Sequence, residues 1–152
     1  MKVGVISDTH ALLRPEALAA LQGCEQIIHA GDIGKAEILE QLAQIAPLHV
    51  VRGNNDLKAD WATELPDRLA FELGGSKVLL VHDIADVPAD LDTSIRLVIT
   101  GHSHKPLIEW RGERLYLNPG SAGPRRFKLP VTVAILEVLG STLDAHLVAL
   151  LD

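Results

Sequence analysis

The first third of the chain alternates strand-like apolar runs with helical ones, and each strand-like run breaks off in a polar turn. Residues 2–7 read as a short central strand followed by Asp8-Thr9-His10. Residues 15–21 read as a helix, with Pro15 in the first turn and Gly23 just past the end. A second strand over 26–30 closes on Gly31-Asp32. A second helix over 35–44 carries Ile38, Leu39, Leu42 and Ile45 at helical spacing. A third strand over 47–51 ends in Arg52-Gly53-Asn54-Asn55-Asp56. The order β-α-β-α-β implies parallel strands joined by right-handed crossovers. Sheets of this kind collect ligands beyond the carboxyl ends of their strands, where these polar turns lie.

After residue 66 the rhythm changes. Residues 68–73 and 77–82 pair across Gly74-Gly75, a hairpin signal. A loop over 83–93 is expected to hold a short helix near 88–91, before a strand over 95–100. Residues 107–110 and 114–118 pair around Arg111-Gly112-Glu113. Asn118-Pro119-Gly120-Ser121 is a sharp turn, and 131–138 with 142–150 make a last hairpin across Gly140-Ser141. The expected architecture is α/β, with two mixed sheets packed face to face, helices outside, and a single domain over 1–152. Aromatic residues are only 3% of the chain, so its core must come from Val, Ile, Leu and Ala.

The run from Leu97 to Ile99 ends in Thr100-Gly101-His102-Ser103-His104, and Pro106 bars a helix from continuing there. In an extended segment, side chains at i and i+2 point the same way, so both imidazoles are expected to face one cleft. Other strand ends supply matching groups: Asp8, His10, Asp32, Asn54, Asn55, Asp56 and His82. Carboxylates, imidazoles and an amide oxygen suit borderline divalent ions, while the absence of Cys from the set argues against a structural zinc site. These are more ligands than one ion needs. Two ions about 3.5–4 Å apart, sharing a carboxylate, would use them.

Lys and Arg number 14 against 20 Asp and Glu, a net charge of −6, and the largest basic cluster is Arg125-Arg126. A nucleic-acid polymer is therefore not an expected partner. A single cysteine, Cys24, cannot form an internal disulfide and points to a reducing compartment. With no signal-peptide pattern and no membrane-spanning apolar stretch, a cytoplasmic location is expected. The high aliphatic content leaves room for a homo-oligomeric contact.

Taken in order, Asp8-x-His10, Gly31-Asp32, Gly53-Asn54-x-Asp56, His82 and Gly101-His102-x-His104 resemble the calcineurin-like metallophosphoesterase superfamily. The resemblance is to its small bacterial and archaeal phosphodiesterase branch, which also carries Asn-Pro-Gly-Ser as at 118–121. It implies a four-layer α/β/β/α sandwich and a dinuclear centre between the loop ends of the sheets. By position, Asp8, His10, Asp32 and His104 would hold one metal, and Asp32, Asn54, His82 and His102 the other, with Asp32 as the bridge. Mn²⁺ is the first candidate, with Fe²⁺, Co²⁺, Ni²⁺ or Zn²⁺ as alternatives. The implied reaction is hydrolysis of a small phosphodiester by a metal-activated hydroxide, with Asp32, Asn54, Asn55, Asp56 and His102 in the catalytic set. The alternatives are a phosphomonoesterase, a nuclease, or a non-catalytic protein-binding scaffold such as the same fold provides in the retromer complex.

One position departs from the pattern. Many members of the superfamily carry a His after Gly-Asn, placed to protonate the leaving group, where this chain has Asn55. An amide is no general acid near neutral pH, so either phosphodiesters with good leaving groups are the expected substrates or a metal-bound water is the expected proton source. Asp56 is read as an anchor of the Asn54 loop or a site residue, and Asp83 as a partner for an imidazole nitrogen or a solvated carboxylate. Arg125 is read as a phosphate contact or a surface ion pair. His29, His49 and His146 are read as structural or surface residues, and Ser7, Ser103 and Cys24 as structural.

Overall fold

The computed structural model describes residues 1–151; Asp152, the last residue of the expected domain, lies outside them. Its elements run β1 (Lys2–Ile6), α1 (Pro15–Leu21), β2 (Gln26–His29), α2 (Ala36–Ala43), β3 (Leu48–Val50), β4 (Arg68–Leu73), β5 (Ser76–Val81) and β6 (Ile95–Ile99). They continue with β7 (Leu107–Arg111), β8 (Arg114–Asn118), β9 (Thr132–Leu139) and β10 (Thr142–Ala149). The strands form two mixed five-stranded sheets, ordered β10-β9-β1-β2-β3 and β4-β5-β6-β8-β7. Within them, β1, β2 and β3 are parallel, as are β5, β6 and β8.

Alternation along the strands explains the layers. Val3 and Val5 of β1, Ile28 of β2, and Ala134, Leu136 and Val138 of β9 face Leu80, Leu97, Ile99, Leu115 and Leu117 of the other sheet, giving an aliphatic core between them. The opposite face of the first sheet carries Ile6, Ile27, Val133 and Ile135, which pack on Ala17 and Leu21 of α1 and Ile38 and Leu42 of α2. At Gly4 the α1 side chain of Leu21 comes so close that any Cβ would collide with it.

The outer face of the second sheet is covered differently. Val87 and Leu91 lie over Leu79, Val81 and Val98. The helix expected near 88–91 is not formed; a single 3₁₀ turn over Ile84–Asp86 stands before it, started by the Asp83 carboxylate, which accepts from Ala85 N–H at 3.0 Å. Pro88 lacks an N–H and could not join a turn closing on the residues before it. Among the described residues, no helix is long and apolar enough to cross a membrane. The six parallel strands point their carboxyl ends to one rim of the sandwich, and the candidate site is built there.

Candidate metal centre

Beyond β1, the Asp8 carboxylate divides its two oxygens. Oδ2 accepts from the Ser7 hydroxyl at 2.7 Å and from His102 N–H at 3.0 Å. Oδ1 is buried and finds no hydrogen-bond partner among the described residues. It faces His104 Nε2 at 3.4 Å and His10 Nε2 at 3.7 Å, and those two nitrogens are 3.3 Å apart. An ion with four ligands at about 2.1 Å in a tetrahedron sets them about 3.4 Å apart. The Asp8, His10 and His104 triangle has edges of that size.

The second group comes from β2, β5 and β6. Asp32 Oδ2 lies 3.2 Å from His82 Nε2, and Asp32, His82 and His102 bring their ligand atoms within 4.8 Å of one another. His82 Nδ1–H donates to the Ala30 carbonyl at 2.7 Å, so the neutral ring turns the lone pair of Nε2 toward the carboxylate. In the neutral ring that nitrogen offers its lone pair to a metal ion; protonated, it donates to Asp32 instead. In the same way His102 Nδ1 meets the Asn54 amide oxygen at 3.2 Å, which leaves its Nε2 free; Asp83 Oδ2 is 3.7 Å from that Nε2.

The two groups meet at one atom. Asp32 Oδ2, beside His82, is also 3.7 Å from His10 Nε2 of the first group. Burial opposes ionisation of Asp32, but His82, the Asn55 N–H and His10 outweigh it and hold the carboxyl at about 2. His82 is pulled down by burial and up by Asp32, and the net movement is upward. Unpartnered Asp8 Oδ1, the inward lone pairs of buried imidazoles, and a donor set of carboxylate and imidazole all fit divalent cations of the borderline class.

His102 and His104 face one centre, divided between the two groups as the resemblance implies, but not through the extended backbone expected of them. Both have left-handed backbones, with φ of 70° and 63°, which splits the rings between the two groups. Asp8, His10 and Asp32 are also left-handed, at 55°, 45° and 56°. Such backbone is uncommon for non-glycine residues and tolerated best by Asn, Asp and His. Gly31, with φ 104°, passes so close to His82 and Gly53 that a side chain there would clash with both.

Around these groups lies a supporting shell. The Asp56 carboxylate is buried below the loops and accepts from Ile33, Gly34 and Gly53 N–H, which ties the Asp32 turn to the Asn54 turn. Asn55 donates to Asp32 from its backbone at 2.9 Å and its side chain at 3.2 Å. Buried His29 accepts from Gly31 N–H at Nδ1, so its Nε2–H must donate to Thr9 Oγ1, which donates in turn to the Ile33 carbonyl. Asn118 donates to the Gly101 carbonyl and the Ser103 hydroxyl, and Ser121 to the Asp8 carbonyl. Sequence reasoning found the ligand-type residues but not the supporting work of Ser7, Thr9, Asn118 and Ser121; the signal was the adjacency of Ser7 and Thr9 to Asp8 and the place of Asn118 and Ser121 in the Asn-Pro-Gly-Ser turn. His49 stacks on Phe71, far from the centre in the fold.

Outside the His82 and His102 side opens a cleft of about 340 Å³, lined by Arg52, Asn54, Leu57, Asp67, Asp83 and Asp86. Arg52 Nε is paired with Asp67 at 2.5 Å.

Residues 1–141 match the calcineurin-like phosphoesterase superfamily domain. A probable metallophosphoesterase of Methanothermobacter thermautotrophicus is 35% identical, over 97% of this chain and 92% of that protein. Among solved structures, an archaeal phosphodiesterase superposes with a TM-score of 0.80 at 23% identity, covering 97% of this chain and all of that one (100%). Vps29 of Entamoeba histolytica, in complex with zinc, gives 0.74 at 24% identity, covering 99% of each chain. At these identities the two structures establish the fold.

Proposed function

Because the chain belongs to the calcineurin-like phosphoesterase superfamily, we propose that it is a phosphodiesterase that hydrolyses small phosphodiesters at a centre of two divalent metal ions. The observation that carries this reading is the position of Asp32 Oδ2, beside His10 of one ligand group and His82 of the other. Asp8, His10, Asp32 and His104 hold one ion, and Asp32, Asn54, His82 and His102 the other. When bound, two such ions, Mn²⁺ first among Mn²⁺, Fe²⁺, Co²⁺, Ni²⁺ and Zn²⁺, lower the pKa of water toward neutrality and offset charge on phosphoryl oxygens.

The chain's own residues set the stage for that chemistry. Ser7 and the His102 N–H hold one Asp8 oxygen and so aim the other inward. Asn55 orients Asp32 through both of its oxygens, and Ala30 fixes the His82 ring. No proton donor stands where many relatives have a His, so the leaving group must depart with little help from the protein. The cleft beside His82 and His102 is sized for a small ester, in keeping with a small-molecule substrate rather than a polymer. Buried Cys24 fits a reducing, cytoplasmic setting. A scaffold of the same fold has no need of a complete ligand set, and here every position of the set is filled.

The test is hydrolysis of bis(4-nitrophenyl) phosphate and 4-nitrophenyl phosphate by purified protein in Mn²⁺ and in EDTA. Mn²⁺-dependent turnover that favours the diester is expected. No turnover of either ester in any divalent ion would overturn the reading.

A further inference from the structure

Phe127 is the most exposed large apolar side chain among the described residues, at 94%, in a chain with only two Phe, two Trp and one Tyr. Its φ of 52° puts a bulky aromatic residue in the left-handed region, in a turn closed by Leu129 N–H on the Arg126 carbonyl. Strain that turns an aromatic ring out into water is not explained by folding. Its sequence neighbours are Arg125, Arg126 and Lys128, the densest run of cations in a chain of net charge −6.

This loop belongs to the rim of the centre. Gly123, at its base, lies so close to the backbone carbonyls of Asp8 and Thr9 that no Cβ would fit, and Arg14 donates to the Gly123 carbonyl at 3.2 Å. The base of the loop therefore lies against the Asp8 turn that leads into His10, and the aromatic tip and its cations follow directly from it in the chain. The opposite end carries Asp67, Asp83 and Asp86 around the cleft, with Arg52 already committed to Asp67. The rim is electrically polarised, and an anionic extension of a substrate is directed to the loop end.

We propose that residues 125–128 are a substrate-binding arm for nucleotide-type phosphodiesters, in which Phe127 stacks on a base while Arg126 and Lys128 receive a second phosphate. The inference rests on the phosphodiesterase reading above. An aromatic face among cations is the platform that bases use without regard to sequence. One ring offers too little apolar area to hold a bilayer stably, and the acidic far end repels an anionic membrane. The acidic balance elsewhere limits the arm to short ligands, in keeping with a small substrate.

The experiment is calorimetric titration of the 5′-phosphorylated dinucleotide pApA, its internucleotide linkage replaced by a slowly hydrolysed phosphorothioate, into Mn²⁺-loaded wild type, Phe127→Ala, Phe127→Trp and the Arg126→Ala/Lys128→Ala double variant. Phe127→Ala is expected to weaken binding about tenfold and Phe127→Trp to restore it. The double variant is expected to weaken binding and flatten its salt dependence. Absence of pApA binding by wild type, or equal binding by wild type and Phe127→Ala, overturns the arm. So does Phe127-dependent sedimentation with phosphatidylserine vesicles in place of pApA binding. Failure of wild type to hydrolyse bis(4-nitrophenyl) phosphate in any divalent ion would instead overturn the phosphodiesterase reading, so the two failures are distinguishable.

Discussion

Asn55 holds Asp32 by both carboxylate oxygens, its backbone N–H donating to Oδ1 at 2.9 Å and its side-chain amide to Oδ2 at 3.2 Å. The side chain at this position thus faces the carboxylate placed between the two ligand groups. Its work is orientation, and the leaving group is left without an acid from this position. Rates in wild type should fall steeply as the leaving-group pKa rises across a series of aryl phosphodiesters. Asn55→His should flatten that dependence, with a gain of up to about a hundredfold on the poorest leaving groups. A flat series in wild type would contradict this account.

Asp8 should be sensitive to its supporting hydroxyl. Ser7→Ala removes the 2.7 Å bond that fixes Oδ2 while leaving every ligand in place. Metal affinity, measured by competition with a chromogenic chelator, should fall about 10- to 100-fold. Unfolding of the metal-free protein should shift by about 1 kcal/mol only. Unchanged metal affinity would show that Asp8 needs no such support.

Metal-free stability should also depend on pH through His29. Burial lowers this imidazole from the usual 6.5 to about 4. The unfolded chain takes up a proton as pH falls through 6.5, whereas the folded one resists until about 4. His29 therefore contributes stability that is fully present above pH 6.5 and is lost as pH falls toward 4, about 3 kcal/mol in all. His82, moved upward, acts with the opposite sign, stabilising more as pH falls. The informative quantity is thus the difference between wild type and His29→Gln in urea unfolding at pH 7.5 and 4.5. The variant should lose less stability on acidification, and equal losses would contradict the assignment.

Asp56 should matter for folding rather than chemistry. Its buried carboxylate accepts from three backbone N–H groups on two turns, and charge-assisted bonds of this kind are worth more than neutral ones. Asp56→Ala should destabilise the protein by about 3 kcal/mol or more in urea, since it leaves three donors unpaired. A fully stable variant would rule out the anchoring role.

Much of this was legible in the sequence because the ligand-type residues directly follow apolar runs, and a parallel strand's carboxyl end is where a site forms. The left-handed backbones of Asp8, His10, Asp32, His102 and His104 were not legible, since sequence reasoning reserves that region for glycine. For that reason the geometry joining His102 to His104 was misjudged although both residues were found. The anchoring of the loop by Asp56 was one of the two readings the sequence offered, but the hold of Asn55 on Asp32 was hidden for a related reason: neighbours on a 3₁₀ turn point to different sides, and nothing in Asn54-Asn55-Asp56 tells which faces the centre. The cover of the second sheet was misread because Leu91 and Val87 suggest a helix, while the Asp83 cap and Pro88 stop the turn before one can form.

The central claim is that Asp32 joins two ions. Its most direct test is metal content together with electron paramagnetic resonance of protein reconstituted with Mn²⁺. Two Mn²⁺ per chain with an exchange-coupled spectrum are predicted for wild type. Asp32→Asn should lose the coupling and bind at most one ion, with catalytic efficiency down at least about a hundredfold. One uncoupled Mn²⁺ per chain in wild type, or a coupled pair that survives Asp32→Asn, would contradict it.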